Sequence, residues 1–191
     1  EDMTEVRAPA WSPDGEHLAF AANTEEVWGI FVALDPRGRQ TCATCERTTL
    51  PVRRLTYNIF YNGHPHWSPD GQRILYTSER RSHWQALMAD FDDGQATLIP
   101  GIESLGNSAY PTWSPDGQWI ALAGKQQGGS WDIYVVSADG AELVQLTSDP
   151  AADWGPAWSP DGLWLAFASE RSGNGDLYIV RADGSEAPRR L

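Results

Sequence analysis

Short apolar runs of three or four residues alternate along this chain with polar turns rich in aspartate, glycine and proline, and no segment sustains a 3.6-residue apolar period. One set of runs reads Leu18-Ala19-Phe20-Ala21, Ile74-Leu75-Tyr76-Thr77, Ile120-Ala121-Leu122-Ala123 and Leu165-Ala166-Phe167-Ala168. After a polar turn comes a second set: Ile30-Phe31-Val32, Ala86-Leu87-Met88, Ile133-Tyr134-Val135 and Leu177-Tyr178-Ile179. Runs of this length bounded by turn formers predict buried strands, so an all-β chain with almost no helix is expected.

The strands recur in register. Trp-Ser-Pro-Asp-Gly occurs four times, at 11–15, 67–71, 113–117 and 158–162, with steps of 56, 46 and 45 residues between the tryptophans. From each of these tryptophans to the start of the second run is 19, 19, 20 and 19 residues. A period near 45 residues, with further Asp-Gly turns at 93–94, 139–140 and 183–184, has the length of a four-stranded propeller blade rather than of a helical solenoid unit. The expected fold is a β-propeller of four-stranded antiparallel blades in a single region 1–191, with blades at about 5–56, 62–101, 108–148 and 153–191. Asp35 to Thr56 spans 21 residues where Asp139 to Thr147 spans 8, which marks 37–51 as an insertion in blade one. Two units end in Leu-Thr, at 55–56 and 146–147; Leu191 stands at the same place without its Thr. Four blades can close alone or form part of a larger propeller. The truncated last strand suggests a fragment, or pairing of two copies as a homodimer that completes a larger ring.

Each repeated residue has a physical role. In Ser-Pro-Asp-Gly, proline presets the first central position, aspartate tolerates the second and glycine takes the left-handed conformation that returns the chain. Asp14, Asp70, Asp116 and Asp161 with Gly15, Gly71, Gly117 and Gly162 are therefore turn formers, and Ser12, Ser68, Ser114 and Ser159 are turn residues rather than nucleophiles. Trp11, Trp67, Trp113 and Trp158, each able to bury ~200 Å², are expected to fill the wedge between adjacent sheets.

Composition narrows the functions. With 41% apolar residues the chain is too apolar for disorder, and 14 Lys+Arg against 26 Asp+Glu give a net charge of −12, which leaves no basic face for a nucleic-acid backbone. No apolar run approaches the ~18 residues of a membrane span, so no membrane insertion is expected, and the opening Glu1-Asp2-Met3 lacks the basic and apolar regions of a leader. Cys42 and Cys45 lie in the insertion without the helix start of a redox motif, and read as a local disulfide or two free thiols. A zinc site joining them to His64 and His66 is disfavoured, because the histidines begin an innermost strand while the cysteine loop leaves the outer hairpin on the opposite face, ~17 Å away. Asp132, Asp153 and Asp176 are oxygen donors without the spacing of a calcium loop. No metal, cofactor or catalytic residue is expected.

Four copies of Pro-x-Trp-Ser-Pro-Asp-Gly, followed by Leu-Ala-Phe-like and Asp-Ile-Tyr-like strands, resemble the TolB-like, WD40-like (PD40) β-propeller repeat. Residues 169–178 of blade four are closest to that pattern. Blade two departs most, with Gln85-Ala86-Leu87 for Asp-Ile-Tyr and Ile99-Pro100 for Leu-Thr. The resemblance implies a bacterial, extracytoplasmic propeller, periplasmic, secreted or at the cell surface, that binds proteins, peptides or glycans. It extends to the propellers of prolyl-oligopeptidase-like peptidases and some polysaccharide lyases, and such a repeat does not itself imply chemistry.

In a propeller, the loop before each innermost strand and the loop between the second and third strands share one face. The loops 57–64, 103–110 and 149–154 vary most and bring aromatic, amide, imidazole and carboxylate groups to that face. The expected binding residues are Tyr61, Asn62, His64, Asn107, Tyr110, Asp153 and Trp154. The expected function is a non-catalytic binding or scaffold module that presents one propeller face to a protein, peptide or glycan. The alternatives are the propeller portion of a peptidase or lyase, or the ectodomain of a membrane sensor.

Overall fold

The computed structural model describes residues 3–24, 27–37, 51–80 and 83–191. Cys42, Cys45 and almost all of the insertion lie outside the described residues.

The strands form four antiparallel sheets, each built from consecutive strands in sequence order. Blade one holds β1 (Glu5–Trp11), β2 (His17–Thr24), β3 (Val27–Leu34) and β4 (Val52–Arg54). Blade two holds β5 (Tyr61–Trp67), β6 (Arg73–Arg80), β7 (His83–Asp90) and β8 (Ala96–Leu98). Blade three holds β9 (Asn107–Trp113), β10 (Trp119–Lys125), β11 (Asp132–Ser137) and β12 (Leu143–Gln145). Blade four holds β13 (Asp153–Trp158), β14 (Trp164–Ser169), β15 (Asp176–Arg181) and β16 (Arg189–Arg190). The described residues contain no helix.

The pentapeptide makes the same turn four times. In the first, the Ser12 hydroxyl donates to Asp14 Oδ1 at 2.6 Å and accepts His17 N–H at 2.9 Å, while Gly15, at φ +67°, donates its N–H to Ser12 O. The Ser–Asp bond recurs at Ser68–Asp70, Ser114–Asp116 and Ser159–Asp161, between 2.5 and 2.6 Å. That hydroxyl is the main cause holding each of the four aspartates below the usual carboxylate range.

Apolar layers lie between the sheets. Ala19, Ala21, Ile30 and Val32 of blade one meet Trp67, Ile74, Tyr76, Leu87 and Ala89 of blade two. The same arrangement joins blade two to Trp113, Ile120 and Leu122, and blade three to Leu165, Phe167 and Val180, with Trp158 packed against that last layer. The motif tryptophans also tie blades through hydrogen bonds: Trp67 Nε1 donates to Ala10 O at 3.1 Å, and Trp158 Nε1 to Thr112 O at 3.2 Å.

Trp11 departs from its expected role. It is 54% exposed, against 4% for Trp67 and 3% for Trp113, because no sheet among the described residues stands where a preceding blade would cover it. Innermost strands pack in the order β1 on β5, β5 on β9 and β9 on β13; among the described residues β13 makes no comparable packing with β1. The four blades thus form an open arc, and the closed four-blade alternative does not hold.

Each innermost strand carries a bulge three residues before its motif tryptophan. Ala8, His64, Tyr110 and Gly155 all have φ between +50° and +62°, each precedes a proline, and the strand register shifts at each of these sites. Proline is tolerated within a strand at a bulge, where its missing N–H costs no ladder bond. Positive φ at three non-glycine residues is strained, the kind of strain that concentrates at functional surfaces.

Candidate functional site

The bulges line the concave inner side of the arc. Their prolines Pro9, Pro65, Pro111 and Pro156, with His64 and Tyr110, bound an apolar groove of about 570 Å³ that runs past all four blades. His64 and Tyr110 meet edge to face with centroids 4.6 Å apart, so two strained residues of neighbouring blades brace each other at this groove. Burial holds the His64 imidazole below its ordinary value, and its Nδ1 has no hydrogen-bond partner.

Three of the expected binding residues serve the joints between blades. Asn62, fully buried, donates from Nδ2 to Trp28 O at 3.1 Å, and to Asn58 Oδ1 and Phe60 O at 2.8 Å, fixing its own loop and blade one together. Asn107 Oδ1 accepts Trp84 N–H at 2.8 Å. Asp153, also fully buried, donates its backbone N–H to Trp131 O at 2.8 Å and pairs through Oδ2 with Arg171 at 2.7 Å. The two amide side chains and the Asp153 N–H begin an innermost strand and satisfy backbone groups of the preceding blade, while the Asp153 carboxylate pairs within its own blade.

The other four, Tyr61, His64, Tyr110 and Trp154, stand half-buried. Tyr61 lies between Trp28 at 5.9 Å and Trp84 at 5.8 Å, and burial raises its phenol above the ordinary value. Trp154 and Tyr110 join Trp84 and Trp131 around a cleft of about 260 Å³. Six half-buried rings, Trp28, Tyr61, Trp84, Tyr110, Trp131 and Trp154, therefore run across four blades on one face.

Sequence reasoning missed Trp28, Trp84 and Trp131. The signal was present: each stands two residues before the second apolar run of its unit, and only the fourth unit, with Gly175, lacks a ring there. It also missed Arg171 as the partner of Asp153, and Asp132 as the buried carboxyl that neighbours it. Asp132 Oδ2 accepts from Ser130 Oγ at 3.1 Å and Gln145 Nε2 at 3.2 Å, and its carboxyl is pushed up by burial and by the neighbouring Asp153 carboxylate. Asp176 stands apart, paired with Arg190 at 3.0 Å. Among the described residues no three metal-ligating side chains converge.

Residues 101–190 match the family model described as the TolB beta propeller domain. A 92-residue segment is 43% identical to the Tol-Pal system protein TolB of Anaeromyxobacter dehalogenans strain 2CP-1, covering 48% of this chain and 20% of that protein. The solved structure of a putative TolB from Agrobacterium tumefaciens superposes on 100% of this chain and 66% of its own at a TM-score of 0.79, with 24% identity. Puromycin hydrolase shares the fold at a TM-score of 0.71 over 98% of this chain and 28% of its own, with 16% identity.

Proposed function

We propose that this chain, whose residues 101–190 match the TolB beta propeller domain, is a binding module of TolB-like, PD40-type repeats that presents the face bearing the aromatic strip to a protein or peptide partner outside the cytoplasm. The observation that carries this reading is the run of six half-buried rings contributed by all four blades to one face. Half-buried aromatics on a rigid scaffold offer large contact area at small entropic cost, which is the composition of interface centres. The setting follows the repeat family, and one relative carries the name of a Tol-Pal system protein.

The test is photocrosslinking from p-benzoylphenylalanine placed at Tyr61, compared with the same group at Glu142 on the opposite face. Discrete polypeptide adducts from Tyr61 and none from Glu142 support the reading; adducts from Glu142 alone overturn it. A second reading, the propeller portion of a peptidase, is favoured by the fold shared with puromycin hydrolase. Serine-dependent hydrolysis of aminoacyl and peptidyl amides by the complete gene product would select it.

A further inference from the structure

We propose that the cleft between Trp84, Tyr110, Trp131 and Trp154 receives an arginine side chain of the polypeptide partner, an inference that rests on the aromatic face being the binding face. The four rings come from three blades: Trp84 on β7, Tyr110 on β9, Trp131 just before β11 and Trp154 on β13, with Ala109 completing the wall. Tyr61 braces Trp84 at an interplanar angle of 69°, and His64 braces Tyr110 at 64°. No ring contact among the described residues joins two of the four walls, so they enclose space instead of stacking on each other.

Two carboxyls and one guanidinium stand next to the walls in the chain or pair with residues that do. Asp132 and Asp153 follow and precede two of the walls, Trp131 and Trp154, in sequence, and the bond from Asp153 N–H to Trp131 O brings the two pairs together. Both aspartates are buried, at 6% and 0% exposure. Among the described residues one cation, Arg171, forms an ion pair with this couple, and Asp132 Oδ1 and Asp153 Oδ1 accept no hydrogen bond. The cleft itself is lined by the four rings and Ala109, so positive charge within it is stabilised by the ring quadrupoles.

Arginine fits better than lysine because its guanidinium is planar, weakly hydrated and stacks on ring faces. The chain displays the same pairing internally. Trp28, the blade-one equivalent of Trp84 and Trp131, is covered by Arg7 at 4.9 Å. Among the described residues no arginine lies over any of the four cleft rings, and the partner's side chain would take that place.

The protein labelled with 5-fluorotryptophan and titrated with N-acetylarginine amide, followed by fluorine NMR, tests this against N-acetylcitrulline amide, which has nearly the same shape without the charge. Arginine should shift the Trp84, Trp131 and Trp154 resonances and bind at least about fivefold tighter than citrulline. Trp154→Leu should abolish that preference and Trp154→Phe retain part of it, with thermal unfolding confirming that both fold. Equal binding of the two probes, or shifts confined to other tryptophans, would overturn the proposal. Adducts from Tyr61 that persist in that case leave the binding face standing and remove only its arginine receptor; absence of adducts removes the face itself.

Discussion

The imidazole of His66 is held by the backbone of the next blade: Nδ1 accepts the N–H of Trp113 at 3.3 Å, and Nε2 lies 3.1 Å from Thr112 Oγ1. An accepting Nδ1 places the ring proton on Nε2, which then donates to the Thr112 hydroxyl. A neutral histidine thus joins blades two and three at the inner strands, where Trp113 Nε1 finds no acceptor of its own.

This arrangement predicts a stability that falls with acidification. Burial holds His66 below the ordinary imidazole value, so the unfolded chain binds the proton more readily. Stabilisation is complete above about pH 6.5 and is lost as pH falls through the folded-state value. The urea midpoint should fall between pH 7 and 5, and His66→Gln should flatten that slope. Some slope remains in the variant because His64 is also held low. An unchanged slope in His66→Gln would remove the assignment.

The Ser–Asp turns govern a lower range of pH. Asp14, Asp70, Asp116 and Asp161 are held below the ordinary carboxylate value, so their contribution is present above about pH 4 and is lost as pH falls through their folded-state values. Ser114→Ala removes the main cause at Asp116. Acid unfolding followed by circular dichroism should then begin at a higher pH, and the shift should grow as further Ser→Ala substitutions are added at Ser12, Ser68 and Ser159.

Blade two predicts a specific cost at Ser108. In blades one and three the Thr of Leu-Thr accepts the N–H that opens the second apolar run: Thr56 Oγ1 from Ile30 and Thr147 Oγ1 from Ile133, both at 2.9 Å. Blade two has Pro100 at that position, and Ser108 Oγ of blade three accepts Ala86 N–H at 2.9 Å instead. Ser108→Ala leaves a buried N–H unpaired and should destabilise the protein by about 1–3 kcal/mol in urea titration. Ser108→Thr should retain most of the stability.

That substitution shows where the sequence was legible and where it was not. Blade period, strand register and turn chemistry depend on residues close together in the chain, and so the repeat exposed them. Ser108 serves a strand 22 residues upstream in another blade, a relation that a period of about 45 residues does not encode. The roles of Asn62, Asn107 and Asp153 were hidden for the same reason. Each was legible as a polar residue beginning an innermost strand, but its partner, Trp28 O, Trp84 N–H or Trp131 O, belongs to the preceding sheet. The rings of Trp28, Trp84 and Trp131 were legible in principle, at a fixed offset within the repeat, because a periodic position that is aromatic in three units and absent in the fourth marks a surface rather than the core.

The two ends of the arc predict self-association. Ala19, Ala21, Ile30 and Val32, which meet Trp67 of the next blade, are buried to 1% exposure or less. Their equivalents in blade four are Ala166, Ala168, Leu177 and Ile179; Leu177 is 59% exposed and the other three are only partly buried. At the opposite end Trp11, the equivalent of Trp67, is 54% exposed. The face that receives a motif tryptophan and the tryptophan that fits it are thus both open, on opposite ends of one molecule. Two copies joined head to tail can satisfy both ends and close a ring, whereas a mismatch of curvature would instead give open chains. Sedimentation of the 191-residue chain should therefore show species heavier than a monomer. Trp11→Ser should weaken their association at least about tenfold, because it deletes the largest apolar group offered at that end. The same substitution at a buried equivalent, Trp67→Ser, should act differently and lower the unfolding temperature of the monomer, since that ring already fills a joint. A monomer that stays monodisperse at high concentration with Trp11 intact would show that the two ends do not match.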